Sequence, residues 1–223
     1  MKRLMTFGIL IATFMLTGCG IYYPQMVDLP MLEQQGDLRA NLSVNPGFLC
    51  TYTSAAYAAT DHLGVQGNFN ISPDTRAGQG ALGWYNTWGH QVLEIYVGAG
   101  MGVSSYTGVF GGRRWGDFST YFVQADYGWV NLANSHIDIG FGLKAGRLAG
   151  SQFISHDDDV PSVRKESVML LEPTICLRVG WEHLKFTLTG GYAITSPTRI
   201  LLGGGDPLPS ASIGINYFLH TKR

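Results

Sequence analysis

From Gly36 to the C-terminus, apolar and polar residues alternate in one short segment after another. The pattern predicts ten β-strands, over 36–45, 48–60, 62–72, 79–87, 91–106, 116–131, 136–150, 167–181, 184–196 and 209–220. In the last segment Ala211, Ile213, Ile215, Tyr217 and Leu219 share one face. Ser210, Ser212, Gly214, Asn216 and His220 share the other, and only Phe218 breaks its polarity. A period of two sends successive side chains to opposite faces of a strand. The gaps alternate as well. The turns at 60–62, 88–90, 132–135 and 182–183 are tight, and Asn45-Pro46-Gly47 is short. The segments 73–78, 107–115, 154–166 and 197–208 are loops. An even strand count with short turns at one end and loops at the other predicts an antiparallel, up-and-down transmembrane β-barrel.

Composition fits that reading. Charged residues make up 14% of the chain and hydrophobic ones 45%, with 30 glycines. A soluble domain carries about 25% charge. No run of 18 apolar residues follows residue 19, so no spanning helix is expected. A net charge of -1 gives no electrostatic reason to expect a nucleic-acid partner. The 223 residues suit one domain.

The N-terminus divides differently. Lys2 and Arg3 precede the apolar stretch Leu4 to Leu16, and Leu16-Thr17-Gly18-Cys19 follows. Residues 1–18 read as a signal peptide. Residues 19–35, with two prolines and no clean period, read as a periplasmic tether, and 36–223 as the barrel. Cys50 and Cys176 fall on the second and eighth segments, which are not neighbours in a ten-strand ring. A disulfide needs Cα atoms within about 7 Å, so two free thiols are expected.

Leu16-Thr17-Gly18-Cys19 resembles the lipobox of bacterial lipoproteins, and Ser212-Ile213-Gly214-Ile215-Asn216-Tyr217-Phe218-Leu219 looks like the terminal-strand signal of outer-membrane barrels. In both, the chain resembles small outer-membrane β-barrel proteins of Gram-negative bacteria that carry a lipoprotein signal. The resemblance implies acylation of Cys19, with outer-membrane lipids and the barrel-insertion machinery as partners, while the even strand count with tight periplasmic turns places both termini in the periplasm.

The apolar face then meets lipid. It holds Leu38, Leu42 and Val44, then Leu63, Val65, Phe69 and Ile71, and Leu93 to Val103 at every second residue. It continues through Ile137 to Leu143, Ile175 to Trp181 and Leu184 to Leu188. Strands two and four show no clear phase. Trp129, Trp181 and Tyr217 near the tight turns, with Tyr121 and Tyr192 nearer the loops, form aromatic girdles. Ile139 is the chosen lipid-facing test site. Gly140, its inward neighbour, is expected to accept Ser more mildly. The competing architecture is a lipidated, lipocalin-like barrel with the apolar face inside, around an apolar ligand.

Eight charges point inward: Arg39, Glu94, Asp126, Asp138, Lys144, Glu172, Arg178 and Lys185. Glu94, Asp126 and Asp138 line one wall near the tight turns, and Arg178, Lys185 and Arg39 the other. Ten strands close a ring roughly 20 Å across, so opposed Arg and Glu side chains nearly meet. Pairing plugs the lumen, since an unpaired buried charge is costly. A narrow pore for small polar solutes is the other use of such a layer. Gly98, Gly100, Gly102, Gly140, Gly142 and Gly146 either hollow a pocket or let Tyr96 and Phe122 lie across them.

His62, His90, His136 and His183 each sit at a tight turn. Alternate strands lie about 9.5 Å apart or more, too far for one metal. Asp157-Asp158-Asp159 lacks the spacing of a calcium loop. Ser155-His156-Asp157 cannot form a triad from adjacent positions. No metal, cofactor or catalytic set is expected. The function expected is that of a structural or surface-interaction barrel lipoprotein, with an unknown partner at the external loops.

Overall fold

The computed structural model describes residues 22, 27–45, 49–107, 113–155, 162–196 and 208–219. Ten strands follow in order. They are β1 (Leu38–Asn45), β2 (Cys50–Ala58), β3 (Leu63–Ile71), β4 (Thr75–Trp88), β5 (Gln91–Thr107), β6 (Arg113–Asn131), β7 (Ile137–Ser155), β8 (Ser162–Gly180), β9 (Leu184–Ser196) and β10 (Leu208–Leu219). Each pairs antiparallel with its sequence neighbours, and β1 pairs with β10 to close the barrel. Closure leaves no open edge along the paired lengths. The terminal signal lies on that seam, with Leu38 opposite Leu219 and Val44 opposite Ile213.

All ten expected strands are present, and the longer ones outrun the alternation. β7 continues to Ser155, and β8 starts at Ser162, where Ser162 to Lys165 are all exposed. Beyond the lipid band a ladder needs hydrogen bonds but no apolar face, so the period-two signal fades before the strand ends. A four-residue helical turn, α1 (Leu132–Ser135), connects β6 to β7.

The phase puts hydrocarbon outside. Leu42, Val97, Met101, Tyr121, Ile175, Phe186 and Ile213 are each more than half exposed, while Asn41, Glu94, Gln124, Lys144, Arg178 and Asn216 are buried. That arrangement excludes the lipocalin-like alternative, whose apolar face would be inside. The two unphased strands resolve. Cys50, Tyr52, Ser54, Ala56 and Ala58 of β2 point inward, as do Thr75, Ala77 and Tyr85 of β4. Both inner faces mix apolar and polar types, which erased the alternation. The girdle residues Trp181, Tyr217, Tyr121 and Tyr192 are exposed. On β6 eight steps separate Trp129 from Tyr121. At ~3.3 Å per residue and ~40° tilt that is about 20 Å of height, close to an outer-membrane apolar band.

The reading of residues 19–35 as a tether is corrected over its described part. Val27, Asp28, Leu29, Met31 and Leu32 are buried inside the barrel, and so is Tyr22. The chain descends the lumen and reverses at Gly36, whose φ of 87° lies in the left-handed region that glycine adopts without strain. The Gly36 amide then donates to Ala58 O at 2.8 Å, and β1 begins. Cys19, Asp157 to Asp159, His156, Gly203 to Gly205 and the tail His220 to Arg223 lie outside the described residues.

Candidate functional site

The lumen holds the candidate chemistry. Arg39, Glu94, Asp126, Asp138, Lys144, Glu172, Arg178 and Lys185 all lie there, each at most 3% exposed. Four of them pair on the wall. Lys185 Nζ sits 2.5 Å from Asp138 Oδ1, and Lys144 pairs with Glu172 directly across the β7–β8 ladder.

Acids and bases do not otherwise meet across the lumen as expected. The inner segment runs between them. Arg39 and Arg178 both donate to the Leu29 carbonyl, and Arg39 also pairs with Asp28. On the opposite side, Glu94 accepts the Met31 and Leu32 amides, each at 2.8 Å. Tyr96 Oη donates to the same carboxylate at 3.2 Å. The peptide therefore shows its carbonyl to the basic wall and its N–H groups to the acidic wall. Gln124 Nε2 donates to the Asp28 carbonyl at 2.6 Å and to Asp126 Oδ2 at 2.7 Å. Hydrogen bonds to charged groups contribute about 1.5–3 kcal/mol each.

The lower end of the segment is tied too. Asn131 Nδ2 donates to both Glu33 oxygens at 2.9 and 2.8 Å. Asp37 Oδ2 accepts the Glu33 and Gln34 amides at 3.1 and 3.0 Å, closing the turn into β1.

The lumen glycines make space for this contents. An added Cβ at Gly98 would meet the Phe122 ring at 2.5 Å, and at Gly83 the Tyr96 ring at 2.3 Å. Tyr96 and Phe122 thus lie across glycines. Gly140 and Gly142 instead face the inner segment, and a Cβ at Gly140 would stand 1.9 Å from Met31 Cε and 2.8 Å from Leu29 Cδ2. Gly140→Ser therefore requires the ends of the Met31 and Leu29 side chains to move aside, which adds a modest cost to the mild outcome expected for it. It is expected to lower the unfolding midpoint in detergent, and Met31→Ala in the same chain should recover part of the loss. Equal loss with and without Met31→Ala would place the strain elsewhere.

Phe218, the residue that broke the polar face of β10, has a clear role. Its ring faces Arg39 at 6.0 Å, Arg178 at 5.7 Å and Lys185 at 5.4 Å. An aromatic face attracts desolvated cations by about 2 kcal/mol. Phe218→Leu keeps bulk and loses that attraction, so its unfolding midpoint should fall, while Phe218→Tyr should stay near wild type.

The four histidines contact backbone carbonyls. Nδ1 of His62, His90 and His183 contacts the carbonyls of Tyr85, Val130 and Phe218, at 3.2, 3.0 and 3.2 Å. The amides of the same three residues donate back to the histidine carbonyls. Each imidazole N–H therefore extends the ladder one step past its turn. His136 contacts the Ala133 and Asn134 carbonyls within its own turn. Cys50 and Cys176 are buried free thiols.

Sequence reasoning missed Tyr22, Asp28, Leu29, Met31, Leu32 and Phe218. The available signal was the alternation Val27, Leu29, Met31. It is strand-like, but it precedes the first strand of the barrel and names no partner.

The sequence matches no protein-family model and no curated protein. Among solved structures the fold is similar to the outer membrane protease OmpT from Escherichia coli, at a TM-score of 0.61 and 7% identity, covering 87% of this chain and 99% of that one. The fold is that of an outer-membrane β-barrel. Weaker likenesses are to KdgM porin (TM-score 0.40, 8% identity, 82% of this chain, 99% of that one) and NanC porin (0.36, 10%, 83% and 100%). At 7% identity the OmpT likeness carries architecture alone.

Proposed function

We propose that this protein is an outer-membrane lipoprotein barrel of structural or surface-interaction type, sealed by its own N-terminal segment and lumen charges. The observation that carries the reading is the peptide held between Arg39, Arg178 and Glu94. A solute path has to break charge-assisted hydrogen bonds on both walls, in a layer already crossed by Lys185–Asp138 and Lys144–Glu172. Supporting it, the exterior is apolar between aromatic girdles, as a lipid-embedded surface requires. The lipobox at Leu16 to Cys19 supports the anchor.

Reconstitution in planar bilayers tests the seal. The intact chain is expected to give no steady conductance. A chain lacking residues 22–33, checked for a folded barrel by its heat-dependent gel mobility, should conduct in small steps. Steady open steps from the intact chain would favour the narrow-pore reading instead.

Orientation follows from the short turns, which we place in the periplasm. Cysteines introduced at Asp61, Asn134 and Glu182 should label only after permeabilisation. Those at Arg113, Asp158 and Gly204 should label on intact cells. The opposite pattern would invert the barrel.

A further inference from the structure

The inner segment has a direction. Its lower part meets the tight-turn end: Met31 and Leu32 bind Glu94, the fourth residue of β5. Asp28 lies higher, where Gln124 of β6 takes its carbonyl. Tyr22 is higher still. Its hydroxyl donates to Glu172 at 2.9 Å, and its ring packs edge-on against Phe118 at 5.1 Å. Phe118 is the sixth residue of β6 from the loop end. The cluster around Tyr22 also includes Ala77 and Ala193, the third of β4 and the fourth of β9 from that end.

The barrel wall is uneven at that height. β6, β7 and β8 have 19 residues each, whereas β1 has 8 and β2 has 9. At about 2.5 Å of height per tilted residue, β1 and β2 rise roughly 20 Å, the thickness of the apolar band, and β6 to β8 more than twice that. At the top of the low wall, Leu49 is 76% exposed. β10 continues past its last β1 partner, Ile213, so Leu208 to Ser212 pair with β9 alone. Among the described residues, the wall is therefore lowest over β1 and β2. The Tyr22 cluster draws on β4, β6, β7, β8 and β9, the walls that still stand at that level.

We infer that the mature chain threads its own barrel from the loop end to the turn end, so that Cys19 sits on the same face as the long loops. Cys19 is three residues before Tyr22. Three extended residues span at most about 10 Å, enough to pass the low wall and too little to return through the lumen. The acyl chains, whose presence rests on the lipobox reading above, are then delivered over the β1–β2 wall to the leaflet on the loop side. The chain ends therefore leave at opposite rims, since Leu219 pairs with Leu38 at the turn end.

An epitope inserted between Gly20 and Ile21 tests this, with matched epitopes in the Glu182 turn and in the loop at Asp158. Antibody binding on intact cells should be equal for the N-terminal and Asp158 tags and unchanged by permeabilisation. The Glu182 tag should bind only after permeabilisation. A smaller change, Gly20→Cys read with an impermeant maleimide, guards against a tag that disturbs folding. Grouping of both N-terminal probes with Glu182 overturns the threading. Metabolic labelling with a fatty acid, compared between wild type and Cys19→Ser, reads the lipid separately. Unlabelled wild type with loop-side probes removes the anchor and upholds the threading.

Discussion

Glu94→Leu is expected to release the inner segment while the barrel itself stays closed. The carboxylate is fully buried and accepts two backbone amides of the segment. Its removal leaves the Met31 and Leu32 donors unpaired. Breaking one side of a buried charged network costs about 3–5 kcal/mol. That loss falls on the segment rather than on the ladders, because the segment is held by a few side chains and the strands by continuous backbone pairing. The expected readout is conductance appearing in planar bilayers with the folded gel mobility retained. Glu94→Gln, which keeps one acceptor and loses the charge, should fall between. Lys165→Ala on the exposed part of β8 should change nothing measurable, as surface substitutions stay within about 0.5 kcal/mol.

Val97→Lys is the largest expected effect on the outside. Val97 is the seventh residue of β5 and 63% exposed, near mid-height of the apolar band. A lysine at the midplane of a membrane barrel costs about 2–4 kcal/mol. Ile139, the site the sequence suggested, is a weaker test. It is only the third residue of β7, opposite Trp129, and a lysine there reaches the interface along its own stem. Its cost should be about 0–1 kcal/mol. Folding into vesicles, followed by urea titration, should rank Val97→Lys well below Ile139→Lys. Equal midpoints would mean that the exterior of β5 is not in lipid.

The barrel was legible because lipid imposes period two on every strand it touches. β10 announces itself through Ile213, Ile215, Tyr217 and Leu219, and the structure leaves all four exposed. Where lipid stops, so does the signal, which is why the outer ends of β7 and β8 escaped notice. β2 escaped phasing for the opposite reason: Tyr52 and Ala56 face a lumen with apolar contents. The eight inward charges could be named from alternation, since a charge on a lipid-facing position is excluded. Their partners could not. Asp28, Leu29 and Met31 precede the barrel, and the period of a nine-residue stretch does not say what it packs against. Glycine was ambiguous in the same way. Gly98 sits under Phe122 and Gly140 under Met31, and nothing local to either distinguishes an aromatic neighbour from a passing chain.

Residues 27–35 lie between the charged walls, and backbone amide hydrogen exchange in detergent micelles or nanodiscs reads that placement directly. The Met31 and Leu32 amides should exchange as slowly as those of β5 and β6, and Glu94→Leu should bring both to the rate of an open loop. Fast exchange at Met31 and Leu32 in the wild-type protein, alongside protected strands, would contradict it.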